Sequence, residues 1–149
     1  MIREMTAADI EVIEAMEREY FTDAWTRSAW EEELENPRST TFIEEENGRI
    51  RGYLNLWVVL DEGQINRFAV ASPWRRNGIG SRLLDRVDQF AQEKGLYSLT
   101  LEVRLSNEAA QAAYKKAGFI EMGIRPGFYA NPEEDALIMT RSRSEVHYL

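Results

Sequence analysis

Apolar positions along the chain change period several times, and each change marks an element. Ile2 to Met5 reads as a short strand. Thr6 and Asp9 have capping-box spacing, and Ile10, Ile13 and Met16 follow at helical intervals. Thr26 is placed to cap a second helix, with Trp30 and Leu34 on one face and an end before Pro37. Thr41 to Glu45 is a strand, and Asn47-Gly48 signals a tight hairpin into the next, Ile50 to Leu60. There Leu54, Leu56 and Val58 alternate with Tyr53, Asn55 and Trp57. Asp61-Glu62-Gly63 turns the chain into a strand from Gln64 to Ala71.

After Ser72-Pro73 the period becomes helical. Ile79, Leu83, Leu84, Val87, Phe90 and Ala91 form a stripe that stops near Gly95. Tyr97 to Arg104 is a strand with Leu99, Leu101 and Val103 on one face, which puts Glu102 on the other. A helix follows from about Asn107, carrying Ala110, Ala113, Tyr114 and Ala117 on one side, with Gly118 as its stop. Phe119 to Ile124 and Ala136 to Thr140 read as the last strands. The order is that of an α+β domain with one central sheet. Residues 1–141 are taken as a single domain and 142–149 as a loosely held tail.

Composition narrows the class. With 149 residues, 44% hydrophobic and 30% charged, the chain suits one soluble globular domain with a substantial core. Its N-terminus lacks a signal pattern and no apolar run is long enough to span a bilayer, so a cytoplasmic protein is expected. Net charge is −8, from 18 basic and 26 acidic residues, which disfavours direct binding to nucleic acid and favours a basic partner weakly. Cysteine is absent, so disulfides, thiolate metal sites and a cysteine nucleophile are excluded. The one histidine, His147, lies near the C-terminus, which argues against a Ser-His-Asp arrangement or a histidine metal site.

Arg75-Arg76-Asn77-Gly78-Ile79-Gly80-Ser81 lies where a strand and turn hand over to a helix. Gly78 and Gly80 let backbone N–H groups approach an anion, and the helix start adds unpaired donors. Arg75 and Arg76 can add charge-assisted contacts. The segment suits a pyrophosphate but is not a P-loop, because Ser81-Arg82 follows Gly80. Nor is it a dinucleotide fingerprint, because Leu83 stands where a third small residue is needed. A glycine-punctuated surface turn would look much the same.

The segment fits the Arg/Gln-x-x-Gly-x-Gly/Ala signature of the GNAT acetyltransferase superfamily, and the order of elements resembles that fold. Within it the chain most resembles the RimI group of ribosomal-protein-alanine N-acetyltransferases. The stretches that carry this are Phe68-Ala69-Val70, the signature loop, Leu101-Glu102-Val103-Arg104, Ser106 to Ala110, Ala113-Tyr114, Ala117-Gly118-Phe119 and Glu134 to Met139. The first half matches in outline, with Ala24-Trp25-Thr26 near a place where the family often has Pro-Trp-Ser/Thr. The resemblance implies a GNAT fold with a central, mixed but mostly antiparallel sheet flanked by helices.

It also implies acetyl-CoA as cosubstrate, with no metal. Phe68, Ala69 and Val70 would bind it through the strand backbone, an N–H near Val70 polarising the thioester. Arg76, Asn77, Gly78, Ile79, Gly80 and Ser81 would hold the pyrophosphate, and Asn107 would contact the cofactor further along. By residue type alone, Asn107 is equally an N-cap. The resemblance assigns Glu102 as proton acceptor and Tyr114 as general acid. On residue type alone the first is a solvated strand glutamate and the second a buried tyrosine. Trp25, Phe128 and Tyr129 are candidates for the peptide site, with packing the better single reading of each.

Two departures from the group's pattern stand out. Arg67 and Phe68 are bulky for their place, and Phe128 stands where a tyrosine is usual. The expected activity is transfer of acetyl to a protein N-terminal α-amine, an alanine of a small-subunit ribosomal protein, by direct attack in a ternary complex. The expected partner is a basic or neutral peptide N-terminus and the expected state a monomer or weak dimer. A GNAT acting on a small amine, polyamine or lysine side chain is the nearest alternative. A non-catalytic CoA-binding module is the other.

Overall fold

The computed structural model describes residues 1–142. Ser142, the first residue of the expected tail, instead closes the last strand, and the rest of the tail, with His147 and Tyr148, lies outside the described residues. Among the described residues, seven strands and four α-helices follow one another as β1 (Ile2–Glu4), α1 (Ile10–Tyr20), α2 (Arg27–Glu35), β2 (Ser39–Glu46), β3 (Arg49–Val59), β4 (Glu62–Val70), α3 (Ile79–Lys94), β5 (Ser98–Arg104), α4 (Glu108–Lys116), β6 (Ile120–Tyr129) and β7 (Glu134–Ser142). The strands form one sheet in the order β1-β2-β3-β4-β5-β7-β6. β4 and β5 run parallel; β1–β2, β2–β3, β5–β7 and β6–β7 are antiparallel. This is the mixed, mostly antiparallel sheet expected. No helix among the described residues is long and apolar enough to cross a membrane.

The chain divides into two compact units. The first comprises Met1–Trp57 and Asn66–Asp88. Its helix ends follow the capping logic. The Thr6 N–H donates to Asp9 Oδ2 at 2.7 Å, and Thr26 Oγ1 accepts from the Ala29 N–H at 3.1 Å. Asn47 and Gly48 both take positive φ, 52° and 77°, as a two-residue hairpin of matching twist requires. Ile13, Trp30, Ile43 and Tyr53 pack into one core, with Trp30 against Trp25 and Tyr53 at ring separations of 5.0 and 5.7 Å. Leu34, expected beside Trp30, is exposed instead, because the nine-residue α2 buries only Trp30.

β3 is buried without a break from Gly52 to Leu56, so it is covered on both faces rather than half-solvated. Gly52 explains how α3 comes so close. A Cβ there would lie 3.0 Å from the Ala69 carbonyl, 3.1 Å from Ile79 Cγ2 and 3.2 Å from Leu83 Cδ1.

The second unit comprises Val58–Ile65 and Gln89–Leu149, described to residue 142. Its first turn is at Leu60-Asp61 rather than Asp61-Glu62-Gly63, and β4 begins at Glu62. Leu60 takes φ 57°, an uncommon choice for leucine, and its side chain is exposed. The β4–β5 ladder runs from Glu62–Ser98 to Ile65–Leu101, and β4 continues beyond it to Val70. Leu99, Leu101 and Val103 are buried, as are Leu137 and Met139, their register neighbours on β7. Glu102 stands opposite Ile138 on the other face.

The last strands are longer than expected. β6 runs ten residues to Tyr129 and passes through Pro126, which falls in the register irregularity between Arg125 and Tyr129. An outer strand tolerates proline at such a place because no ladder bond is lost there.

Candidate active site

The first unit carries the candidate anion loop. β4 ends at Val70, and a short 3-10 turn, Ser72–Trp74, leads to the loop. Arg75 turns back on the chain: its Nε donates to the Val70 carbonyl at 2.9 Å and its guanidinium lies 4.8 Å from the Tyr20 ring centroid. The anion role expected of Arg75 therefore competes with closing this turn. Arg76 and Gly78 take φ 69° and 77°, two left-handed residues that curl the backbone just ahead of α3. Such a curl aims successive N–H groups into one concavity. Helical hydrogen bonding begins with the Arg82 N–H on the Gly78 carbonyl at 3.0 Å, which leaves the first-turn donors before it without helical partners.

Side chains in this loop have separate tasks. Arg76, Asn77, Gly78 and Ser81 are exposed, whereas Ile79 is buried, so Ile79 can offer an anion only its backbone. A Cβ on Gly80 would lie 3.4 Å from Phe68 Cζ and 3.7 Å from Val70 Cγ2. The bulky Phe68 is thus seated beneath a helix start that glycine keeps open. Arg82, which sequence reasoning passed over, braces the loop. Its Nη1 donates to the Asn77 carbonyl and its Nη2 to Glu44 Oε2, both at 3.3 Å. Glu44 is buried and also receives Arg51 at 2.8 and 2.6 Å. Arg51 above all, then Arg82, holds the Glu44 carboxyl below the usual carboxylate range.

Arg67, the other bulky departure, anchors a buried ion cluster. Its Nη2 reaches Glu17 Oε1 at 2.6 Å and its Nε the same oxygen at 3.1 Å. The Tyr53 hydroxyl donates to Glu17 Oε2 at 2.5 Å and the Trp25 N–H to Oε1 at 2.9 Å. The guanidinium also lies over the Phe21 and Trp25 rings, at 4.2 and 5.1 Å. Burial, followed by the Glu17 charge, pushes the Tyr53 phenol well above its ordinary value. Trp25 is accordingly part of the packing that fixes the α1–α2 connection. The helical spacing of Ile10, Ile13 and Met16 could have flagged Glu17, which falls on their face one residue after Met16.

The second unit carries the candidate proton chemistry. Glu102 projects from β5 with its side chain 13% exposed. Gln64 Nε2 donates to its Oε2 at 2.7 Å, and Arg125 Nη1 to its Oε1 at 2.8 Å. Each oxygen keeps a lone pair, so the carboxylate is oriented but can still accept a proton. Arg104, two residues along on the same face, organises the β6–β7 turn. Its Nη1 donates to the Pro132 carbonyl at 3.0 Å and Glu134 Oε1 at 3.2 Å, its Nη2 to the Ala130 carbonyl at 3.3 Å, and it lies 4.4 Å from the Tyr129 ring. Phe128 meets Tyr129 edge-on at 5.0 Å and is exposed.

Tyr114 lies on α4, edge-on to Phe119 at 5.9 Å. The residue is half-buried, and desolvation at its phenol, with Tyr129 adding to it, pushes the hydroxyl above its ordinary value. It is therefore a proton donor at neutral pH. Asn107 Oδ1 accepts from the Ala110 N–H at 3.1 Å, so the N-cap role is filled, and its residue is exposed. The cofactor-binding candidates Phe68 to Ser81 thus fall in the first unit, and Asn107, Glu102 and Tyr114 in the second. Gln64 and Arg125, the partners of Glu102, went unread because strand register, not local pattern, brings them to it.

The chain matches the acetyltransferase (GNAT) family over residues 10–119 and belongs to that family. A Bacillus subtilis protein that carries the provisional name of ribosomal protein bS18-alanine N-acetyltransferase is 38% identical over 139 residues, covering 93% of this chain and 92% of that one. The ribosomal protein bS18-alanine N-acetyltransferase of Haemophilus influenzae is 30% identical over 93% of this chain and 96% of its own. The crystal structure of the ribosomal-protein-S18-alanine N-acetyltransferase from Escherichia coli superposes with a TM-score of 0.88 at 30% identity, covering 97% of this chain and 94% of that one.

Proposed function

We propose that this chain transfers acetyl from acetyl-CoA to the N-terminal α-amine of a protein, an alanine on a small-subunit ribosomal protein, in the cytoplasm. The single observation that carries the chemistry is Glu102, a carboxylate fixed by Gln64 and Arg125 with proton-accepting capacity left over. The substrate reading is supported by relatives named for alanine N-acetylation that align over nearly the whole chain. Residues 1–141 are read as one catalytic domain, which the family match across 10–119 supports.

The loop suits a pyrophosphate. It offers first-turn N–H groups without helical partners, two left-handed residues and a glycine-opened approach at Gly80. The residues that would hold acetyl-CoA are the β4 backbone at Phe68, Ala69 and Val70, the segment Arg76 to Ser81, and Asn107. Bound there, acetyl-CoA supplies an activated acyl group as a thioester. The β4–β5 ladder ends at Ile65–Leu101, and these β4 candidates lie beyond it. Glu102 takes the proton that the amine must lose at Oε1 or Oε2. Tyr114 holds a proton at its hydroxyl for the leaving sulfur. With no cysteine to carry an acyl group, the amine attacks directly.

An α-ammonium has a reference pKa of about 7.7–8.0 against about 10.4 for lysine, so it gives up its proton to a carboxylate base far more readily. The test is Glu102→Gln. It should lower kcat on the order of 100-fold or more while leaving acetyl-CoA affinity within about twofold. Unchanged turnover would remove Glu102 from the chemistry.

A further inference from the structure

The carboxylate of Glu102 already holds a cation. Arg125 Nη1 sits 2.8 Å from Oε1, and the two groups come from different strands, β5 and β6. The pair is unequal: the Glu102 side chain is 13% exposed, and that of Arg125 is 55% exposed. Among the described residues, Arg125 has one further partner, the Phe128 ring 5.1 Å away. Arg104, on the same face of β5, is tied to two carbonyls, a carboxylate and a ring. One arginine is built into the turn. The other is held mainly by Glu102.

The backbone of Arg125 is also lightly constrained. It stands at the start of the register irregularity that runs to Tyr129, on a strand exposed from Ile120 to Phe128. A half-buried carboxylate without a counter-cation is costly, so a resting enzyme gains from supplying one. An ion pair with one well-solvated member is weak, so it exchanges readily. Gln64 holds the second oxygen as a neutral donor at 2.7 Å, and this contact need not break when the cation on Oε1 changes.

We propose that Arg125 is a positioning residue that keeps the acceptor's place. Its guanidinium occupies on Oε1 the position that the substrate ammonium takes, and it gives way when the amine arrives. The exchange is charge-neutral, one cation for another, and leaves Glu102 oriented by Gln64. The arriving ammonium then donates its proton to the oxygen that Arg125 has vacated. Arg125 thereby sets how strongly an amine must bind before it reaches the base, and so weakens binding of uncharged or poorly placed acceptors. This rests on the reading of Glu102 as the base.

The test compares wild type, Arg125→Gln, Arg125→Lys and Glu102→Gln with a peptide acceptor, measuring kcat and KM separately. Ethylguanidinium serves as a competing cation probe. Removing the resident cation should lower peptide KM about 2- to 5-fold, the range expected for losing a weak ion-pair competitor. It should also make ethylguanidinium a stronger competitive inhibitor, and Arg125→Lys should move both readings back toward wild type. A merely orienting role would lower kcat and leave KM and ethylguanidinium inhibition unchanged, and that result overturns the proposal. If Glu102→Gln loses turnover while Arg125→Gln leaves KM unchanged, the exchange alone fails. If Glu102→Gln keeps wild-type turnover, the base assignment fails, and the exchange with it.

Discussion

Glu17 and Glu102 are both carboxylates on packed elements, and their neighbours give them opposite jobs. Glu17 is fully buried and receives Arg67, the Tyr53 hydroxyl and the Trp25 N–H, so it is spent on structure. Glu102 receives one donor on each oxygen and keeps room for a proton. Arg67→Ala would leave the Glu17 charge without its cation in the core. Breaking one side of such a pair costs about 3–5 kcal/mol, which urea denaturation should report. A loss under about 1 kcal/mol would show that the pair is solvated in practice. Tyr114 is the complementary case. Its phenol is held protonated by desolvation, so Tyr114→Phe should lower kcat about 10-fold or more with little change in acetyl-CoA binding. Equal turnover in the variant would return Tyr114 to a packing role against Phe119.

At the scale of elements, local signals were readable and long-range ones were not. The Thr26 and Asn107 caps, the Asn47-Gly48 turn and the glycine stops at Gly95 and Gly118 all depend on a few neighbouring residues. The alternation that set Glu102 apart from Leu101 and Val103 is equally local. β6 was misjudged because its length comes from pairing with β7, which carries it through Pro126 despite the proline. The donors on Glu102 were illegible for the same reason: Gln64 lies on a parallel neighbour and Arg125 on a strand beyond β7. Gly52 would have read as an ordinary weak point in a strand, yet it is where α3 meets β3. Gly52→Ala should destabilise the fold by about 1–3 kcal/mol by overpacking, measurable by thermal or chemical denaturation. An unchanged Tm would mean that Ile79 and Leu83 can retreat.

Across the whole molecule, the ionisable groups define a pH window for stability. The carboxyls of Asp9, Glu44, Glu45 and Glu134 are held below their ordinary values, chiefly by Arg3 for Asp9 and Glu45, by Arg51 for Glu44, and by Ser106 for Glu134. The stability they contribute is complete above the unfolded carboxylate range of about 4 and is lost as pH falls through their lowered values. Tyr53 and Tyr114 are raised, mainly by burial, so their contribution is complete below about pH 10 and declines above it as the unfolded tyrosines ionise. Denaturation midpoints should therefore be flat between about pH 5 and 9 and fall on both sides. A midpoint that rises above pH 10 would contradict this account.

Net charge of −8 bears on function more than on fold, since it would attract a basic partner in a salt-dependent way. The acceptor proposed for the enzyme is a protein α-amine. Its most direct test incubates the chain with acetyl-CoA, a peptide that begins with alanine and contains an internal lysine, and spermidine, and locates the acetyl group by mass spectrometry. The label is expected on the alanine α-amine, with lysine and spermidine left largely unmodified. Faster acetylation of the lysine side chain or of spermidine would contradict it.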